Sequence, residues 1–212
     1  MSVKLISITH PQIEGLETAE DLISYCARVS NPSNQLNTET APRLLSYCIK
    51  HGHWSIFEMA DMCFEIKTSR AIGAQILRHR SFSFQEFSQR YSEVTEIEPI
   101  ELRKQAEKNR QSSEEIIEDP VLNNVMQYSI KQSLQTYEKL LQQGVAREQA
   151  RLVLPLATQS TLYMKGSVRS FIHYLQLRTK EDTQKEHRTI ALEIQKIFIK
   201  EFPNVSRALG WA

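Results

Sequence analysis

The spacing of apolar and polar positions along the chain predicts most of its elements. Val3 to Thr9 is short, rich in β-branched residues and bounded by His10-Pro11, which predicts a strand. Thr18 to about Val29 is expected as a helix, with Thr18 as its N-cap and Asp21 at the third position. Ser30 to Asn34, around Pro32, breaks it into a loop. A second helix spans about Thr40 to Lys50 with Leu44, Leu45 and Ile49 on its apolar face, and Gly52 is placed as its C-terminal cap. In Asp61 to Lys67 the apolar Met62, Phe64 and Ile66 alternate with Cys63 and Glu65, the pattern of a half-buried strand. Thr68 to Arg78 follows as a helix, and Glu86 to Tyr91 as extended chain.

The segment 92–119 turns polar and is expected to be an insertion, partly ordered or an exposed helix. Asp119-Pro120 then starts a long helix, Val121 to Gln143, closed by Gly144. Its mixed face (Val125, Tyr128, Ser129, Gln132, Leu134, Tyr137, Leu141) suits packing against another helix, in the same subunit or a neighbour. Thr158 to Lys165 is predicted as a strand broken by Gly166. Ser167 caps a helix, Val168 to Arg178, that buries Phe171, Tyr174, Leu175 and Leu177. A last helix, Gln184 to Glu201, carries Ile190, Ile194, Ile197 and Phe198, and Pro203 ends it before a docked tail, Val205 to Trp211. The expected class is α+β: one domain over 1–212, an antiparallel sheet packed with several helices, and a long helix near the middle.

Composition changes this picture little. With 41% apolar and 24% charged residues in 212, the chain is an ordinary globular protein with room for a core that needs no disulfides. A formal charge of +1 argues against a general nucleic-acid binder. Charge is uneven, however: bases outnumber acids from Arg147 to Arg188, and acids outnumber bases from Glu93 to Asp119. A basic region on a near-neutral protein suits a localised anionic ligand. Cys26, Cys48 and Cys63 form no CxxC pair, and the start of the chain lacks a signal-type apolar region, so a reducing, cytoplasmic setting is expected. No GxGxxG, P-loop, HExxH or GxSxG is present, so any nucleotide must be held by another scaffold.

Candidate chemistry concentrates in Arg78-His79-Arg80-Ser81-Phe82-Ser83-Phe84-Gln85-Glu86-Phe87-Ser88-Gln89-Arg90-Tyr91, whose aromatics follow no helical period. An extended run would put Glu86, Ser88 and Arg90 on one face, where a carboxylate, a hydroxyl and a guanidinium can hold base edge, ribose and phosphate. Upstream, His51 and His53 could ligate a metal only with a third partner, and none lies nearby in the sequence, so no metal site is expected. Downstream, Arg147 and Arg151 share a helix face; either an anion lies between them or they pair with Glu148 and the acidic middle segment.

Four stretches together resemble the flavin-dependent thymidylate synthases: His-Gly-His running to Phe57-Glu58, Arg-His-Arg running to Ser88-Gln-Arg-Tyr, Ala-Arg147 to Pro155, and Arg169 to Arg178. The family usually has Asn where Ser167 stands and Gly where Gln89 stands. The resemblance implies reductive methylation of dUMP to dTMP, with FAD as hydride carrier, NADPH as reductant and methylenetetrahydrofolate as one-carbon donor. It also implies a homotetramer with active sites shared between subunits. Carried over residue by residue, Gln75, Arg78, Glu86, Ser88, Arg90, Arg147 and Arg169 would bind dUMP. His53, Ser55, Glu58, Arg78, His79, Arg80 and His173 would hold FAD. Arg169, by polarising the uracil carbonyl, and His53 would be the catalytic pair. None of the three cysteines adjoins Pro, Arg or His, so a thiol nucleophile is not expected. The rival reading is a helical nucleic-acid-binding module that uses the basic clusters of 70–90 and 147–188, with Phe82, Phe84 and Tyr91 as stacking platforms.

Overall fold

The computed structural model describes residues 1–94 and 96–212; Thr95, inside the predicted polar insertion, lies outside the described residues. In chain order the elements are β1 (Ser2–Ile8), α1 (Ala19–Ala27), α2 (Ala41–Lys50), β2 (Asp61–Ser69), α3 (Arg70–Ile76), β3 (Ser83–Glu86), β4 (Arg103–Gln105), β5 (Ser113–Ile116), α4 (Pro120–Gln142), α5 (Arg147–Ala150), β6 (Gln159–Ser167), α6 (Val168–Arg178), α7 (Lys185–Glu201) and α8 (Pro203–Ala208). One sheet has the order β1-β2-β6-β3, and β4 and β5 form a separate antiparallel pair. Arg70 N–H donates to Thr158 O and Val168 N–H to Ala60 O, both at 2.9 Å, so β2 and β6 run in opposite directions. The class is α+β, as expected.

Contacts gather into two compact units, one of residues 1–2, 67–78 and 85–162, the other of residues 3–66, 79–84 and 163–212. In the first, the predicted insertion is a hairpin rather than a helix. Its strands are tied by Lys104 to Glu115 at 2.9 Å and by Arg103 Nε to Ser113 Oγ at 2.9 Å, cross-strand pairs that a helix would not align. Glu98, only 4% exposed, anchors the segment: its carboxylate accepts from the Ser69 N–H and from the Thr68 hydroxyl. Helix α4 is capped by Asp119, which accepts from Val121 N–H at 2.7 Å, and it buries Ile130 and Tyr137. Val121, Leu122, Val125 and Tyr128 of the same helix stay exposed.

In the second unit Met62, Phe64 and Ile66 are all fully buried, as the alternation predicts. Phe64 meets Phe171 of α6 edge-on at 5.2 Å between ring centroids. Helix α1 has the predicted capping box: Thr18 Oγ1 accepts from Asp21 N–H at 3.1 Å while Asp21 accepts from Thr18 N–H at 2.9 Å. Leu177 of α6 is exposed, contrary to the expected face, because it lies past the buried Tyr174 and Leu175 at the helix end.

Gly166 does not break β6, which continues to Ser167. A Cβ there would fall 2.5 Å from the Phe82 ring, so the glycine admits that ring against the strand. The C-terminal stretch is docked, with Val205 and Ser206 buried, and its first part is helical, α8. Glu20 of α1 accepts from Val205 N–H and from Asn204 Nδ2, both at 2.7 Å, and so supplies the anionic partner at the start of α8. Burial pushes the Glu20 carboxyl above its usual range despite these bonds.

Candidate active site

Two groups of predicted residues form separately, one in each unit. In the first unit β2 runs two residues further than its alternation suggests, so α3 begins at Arg70 with Ser69 as its cap. Gln75 lies in the last turn of α3, and Arg78 just past it, exposed and with no side-chain partner among the described residues. Glu86, at the end of β3, is fixed by two donors onto one oxygen: Arg70 Nη1 at 3.1 Å and the Ser160 hydroxyl at 3.0 Å.

The extended run expected from Glu86 to Tyr91 is not present. The strand lies earlier, and Ser88 O accepts from both Tyr91 N–H and Ser92 N–H at 3.1 Å, which folds the chain into a turn. Gln89 is buried and Tyr91 87% exposed, so the predicted two-face alternation does not occur. Gln89 needs none of glycine's freedom, since no non-glycine among the described residues has positive φ.

The turn brings Ser88, Arg90 and Tyr91 to a cleft of about 380 Å³ shared with Ala146, Arg147 and Glu148. Both arginines there are held by carboxylates: Arg147 Nη2 to Glu93 at 2.9 Å and Arg90 Nη2 to Glu148 at 3.3 Å. This is the carboxylate-paired arrangement, with Glu93 from the acidic segment as Arg147's partner. Arg151 lies in a separate short turn after α5, so the two arginines do not share one regular helix. These pairs are half exposed, where an ion pair is worth no more than about 1 kcal/mol. A dianionic phosphate can therefore replace either carboxylate.

In the second unit Gly52 closes α2 at φ 70° and turns the chain into a short helical turn, Trp54–Glu58. His53 has its ring 5.8 Å from that of Tyr47 and 6.2 Å from that of His51. The Trp54 and His173 rings are 5.2 Å apart. His53, Ser55, Glu58 and His173 are all exposed, and Arg169 Nη1 donates to Glu58 at 3.1 Å. These rings, hydroxyl and paired charges suit a planar aromatic ligand with a polar edge. Ser167 is already engaged: it accepts from Ser170 N–H at 3.3 Å as the cap of α6, as its position before the helix predicts.

His79 lies deeper. Its Nε2 accepts from Arg178 Nε at 3.0 Å, and its ring stands edge-on to Tyr174 at 4.9 Å. The Tyr174 hydroxyl in turn meets His187 Nε2 at 3.1 Å. Burial pushes the Tyr174 phenol up. Burial first, then the Arg178 and His79 charges, lowers His187 to about 3. Arg80, by contrast, is exposed with no side-chain partner among the described residues. Burial pushes the thiols of Cys26, Cys48 and Cys63 up, the reverse of an activated nucleophile. Phe82, 8% exposed and packed on Phe171 at 4.8 Å, is no stacking platform, which removes a main element of the nucleic-acid reading.

Sequence reasoning missed Arg70 and Ser160 as partners of Glu86, and Arg178 and His187 beside His79; for Arg147 it offered the acidic segment without singling out Glu93. Their partners lie 16 residues away or more, and no local pattern signals such pairs.

A family model described as thymidylate synthase complementing protein matches residues 12–204. The chain belongs to this family. It is 54% identical to a probable flavin-dependent thymidylate synthase of Paramecium bursaria Chlorella virus 1, over the whole of both chains. It is 53% identical to the flavin-dependent thymidylate synthase of Synechocystis, again over both whole chains. The Thermus thermophilus enzyme of that name is 35% identical, across 90% of this chain and 69% of the other. Among solved structures the chain is similar to a UMP/dUMP methylase, PolB of Streptomyces cacaoi, bound with 5-Br dUMP. The TM-score is 0.85 at 25% identity, over 99% of this chain and 94% of that one. The chain is thus a member of the flavin-dependent thymidylate synthase family.

Proposed function

We propose that the protein methylates dUMP reductively to dTMP, taking the carbon from methylenetetrahydrofolate and reducing equivalents from NADPH through FAD. The observation that carries this reading is the cleft in which Ser88 lies with two arginines, each neutralised by a carboxylate that a nucleotide phosphate would displace. Gln75, Arg78, Glu86, Ser88, Arg90 and Arg147 bind dUMP in this reading. Glu86 is pre-set for it, since two donors already fix one of its oxygens and leave the other for ribose or base.

Arg169 acts on the uracil. A guanidinium beside the carbonyl stabilises enolate charge as it develops and cannot lose its proton. His53, Ser55, Glu58, His173, His79, Arg80 and Arg78 hold the FAD, whose role when bound is to carry hydride. The protein supplies orientation, charge and exclusion of water. His53 is the exposed imidazole available to move a proton at the ligand's edge.

Copies of the chain assemble as a homotetramer in which neighbouring subunits complete each site. The exposed Val121, Leu122, Val125 and Tyr128 of α4 support this as an apolar face in need of cover. Light scattering tests the assembly; a monomer that binds FAD tightly contradicts it. The reaction is tested by product analysis with each of FAD, NADPH and methylenetetrahydrofolate omitted in turn. dTMP should appear only with all three, and its appearance without FAD would refute the reading.

A further inference from the structure

We propose that Arg70 and Ser160 are positioning residues that lock the Glu86 carboxylate in one orientation, so that its Oε2 selects a hydrogen-bond donor on the nucleoside; this rests on the dUMP site proposed above. Arg70 Nη1 at 3.1 Å and the Ser160 hydroxyl at 3.0 Å both donate to Oε1. Oε2 takes no hydrogen bond from the described residues. A guanidinium only donates and an ionised carboxylate only accepts, so the sense of these bonds is fixed.

The three side chains are placed by neighbouring elements. Arg70 opens α3 behind its cap Ser69, and its N–H donates to Thr158 O at 2.9 Å, which pins it two residues from Ser160. Ser160 lies buried on β6. The Phe87 N–H donates to Thr161 O at 2.8 Å, which ties the residue after Glu86 to the residue after Ser160. Oε1 also lies over the helix at Gly73, where a Cβ would come within 3.9 Å of it. Arg70 and Glu86 are half-buried, so the pair contributes little to stability and its effect is one of orientation.

The ligand's chemistry narrows what Oε2 can take. With its phosphate ionised, dUMP carries two kinds of hydrogen-bond donor, the sugar 3′-hydroxyl and the uracil N3–H, and its other polar atoms accept. A fixed carboxylate oxygen therefore meets one of these donors and repels an acceptor brought to the same place. Arg70 and Ser160 touch no ligand in this account; they act through Glu86.

The test is a cycle of dUMP dissociation constants, measured by calorimetry at fixed salt on FAD-loaded variants that melt like wild type. Glu86→Gln keeps the shape but turns the carboxylate into one acceptor and one donor. With Arg70 and Ser160 in place, both hold the amide oxygen, and the amide NH2 is left facing the ligand's donor. This change alone should weaken dUMP binding about ten- to a hundredfold. Arg70→Met with Ser160→Ala should weaken it about three- to tenfold, because the carboxylate is then free to rotate. All three changes together should bind dUMP several-fold tighter than Glu86→Gln alone, since the released amide can turn its oxygen to the ligand. A merely structural role gives losses that multiply instead. Multiplying losses, or a triple variant no tighter than Glu86→Gln, overturn the proposal. If the triple variant does not fold, Arg70→Met with Glu86→Gln decides by the same sign. Repeated with 2′,3′-dideoxy-UMP, the Glu86→Gln penalty vanishes if the donor is the sugar hydroxyl and persists if it is the uracil N3–H. A wild type that binds no dUMP refutes the dUMP reading and the proposal with it, whereas wild-type binding with multiplying losses refutes the positioning role alone.

Discussion

Arg169 donates through Nη1 to the Glu58 carboxylate at 3.1 Å, joining two positions that the family resemblance assigns to different ligands, the uracil and the flavin. Both side chains are about two-fifths exposed, so the pair contributes little to folding and is open to exchange with a ligand. A substrate carbonyl can take the guanidinium without a large penalty. Arg169→Lys keeps charge but loses the planar fork, and should slow methylation by about two to three decades. FAD content and the rate of flavin reduction by NADPH should change far less. Stopped-flow traces of the two half-reactions, recorded separately, check the split.

Glu93 competes with phosphate for Arg147, which it holds at 2.9 Å. Glu93→Gln should therefore tighten dUMP binding several-fold, and Arg147→Ala should weaken it by about 1.5–3 kcal/mol, the range for a hydrogen bond to a charged group. Calorimetric titration at fixed salt measures both. Weaker binding in Glu93→Gln would show that Glu93 orients Arg147 rather than occupying it.

Gly166 should tolerate no side chain. The Cβ of Gly166→Ala would lie 2.5 Å from a buried phenylalanine ring that is itself packed on Phe171, so neither can retreat cheaply. Overpacking of this kind costs about 1–3 kcal/mol. Gly166→Ala should lower the denaturation midpoint, and pairing it with Phe82→Leu should restore part of the loss.

His187 gives the fold a pH dependence of known sign. Its native value, about 3, lies below the ordinary 6.5, so between these the unfolded chain binds the extra proton. Stability is full above pH 6.5 and is lost as pH falls, by at most about 1.4 kcal/mol per unit within the window. His187→Gln should flatten denaturant-derived stability between pH 6.5 and 4; an unaltered slope would assign the effect elsewhere.

The sequence made local features legible because their causes are local. The Thr18–Asp21 capping box, the Met62-Phe64-Ile66 alternation and the Asp119-Pro120 start of α4 each depend on residues within a few positions of one another. What failed depended on distant partners. The continuation of β6 through Gly166 follows from the Phe82 ring packed against it, and the 92–119 hairpin is anchored through Glu98 on residues about thirty positions earlier. At the site, motif spacing named the residues and offered Glu148 and the acidic segment as partners for Arg147, but the pairing of Glu148 with Arg90, of Arg70 with Glu86 and of Arg178 with His79 became visible only in three dimensions.

The cysteines offer a check on mechanism. With burial raising all three thiols, a Cys26→Ser, Cys48→Ser, Cys63→Ser variant should turn over at the wild-type rate wherever it remains folded. Loss of turnover with FAD and dUMP still bound would restore a thiol nucleophile to the account.

The most direct test is a single turnover under anaerobic conditions, with NADPH-reduced enzyme mixed rapidly with saturating dUMP and methylenetetrahydrofolate. The account predicts that flavin absorbance returns and that dTMP forms in equal amount. Flavin that reoxidises without dTMP, or dTMP that forms while the flavin stays reduced, would contradict it.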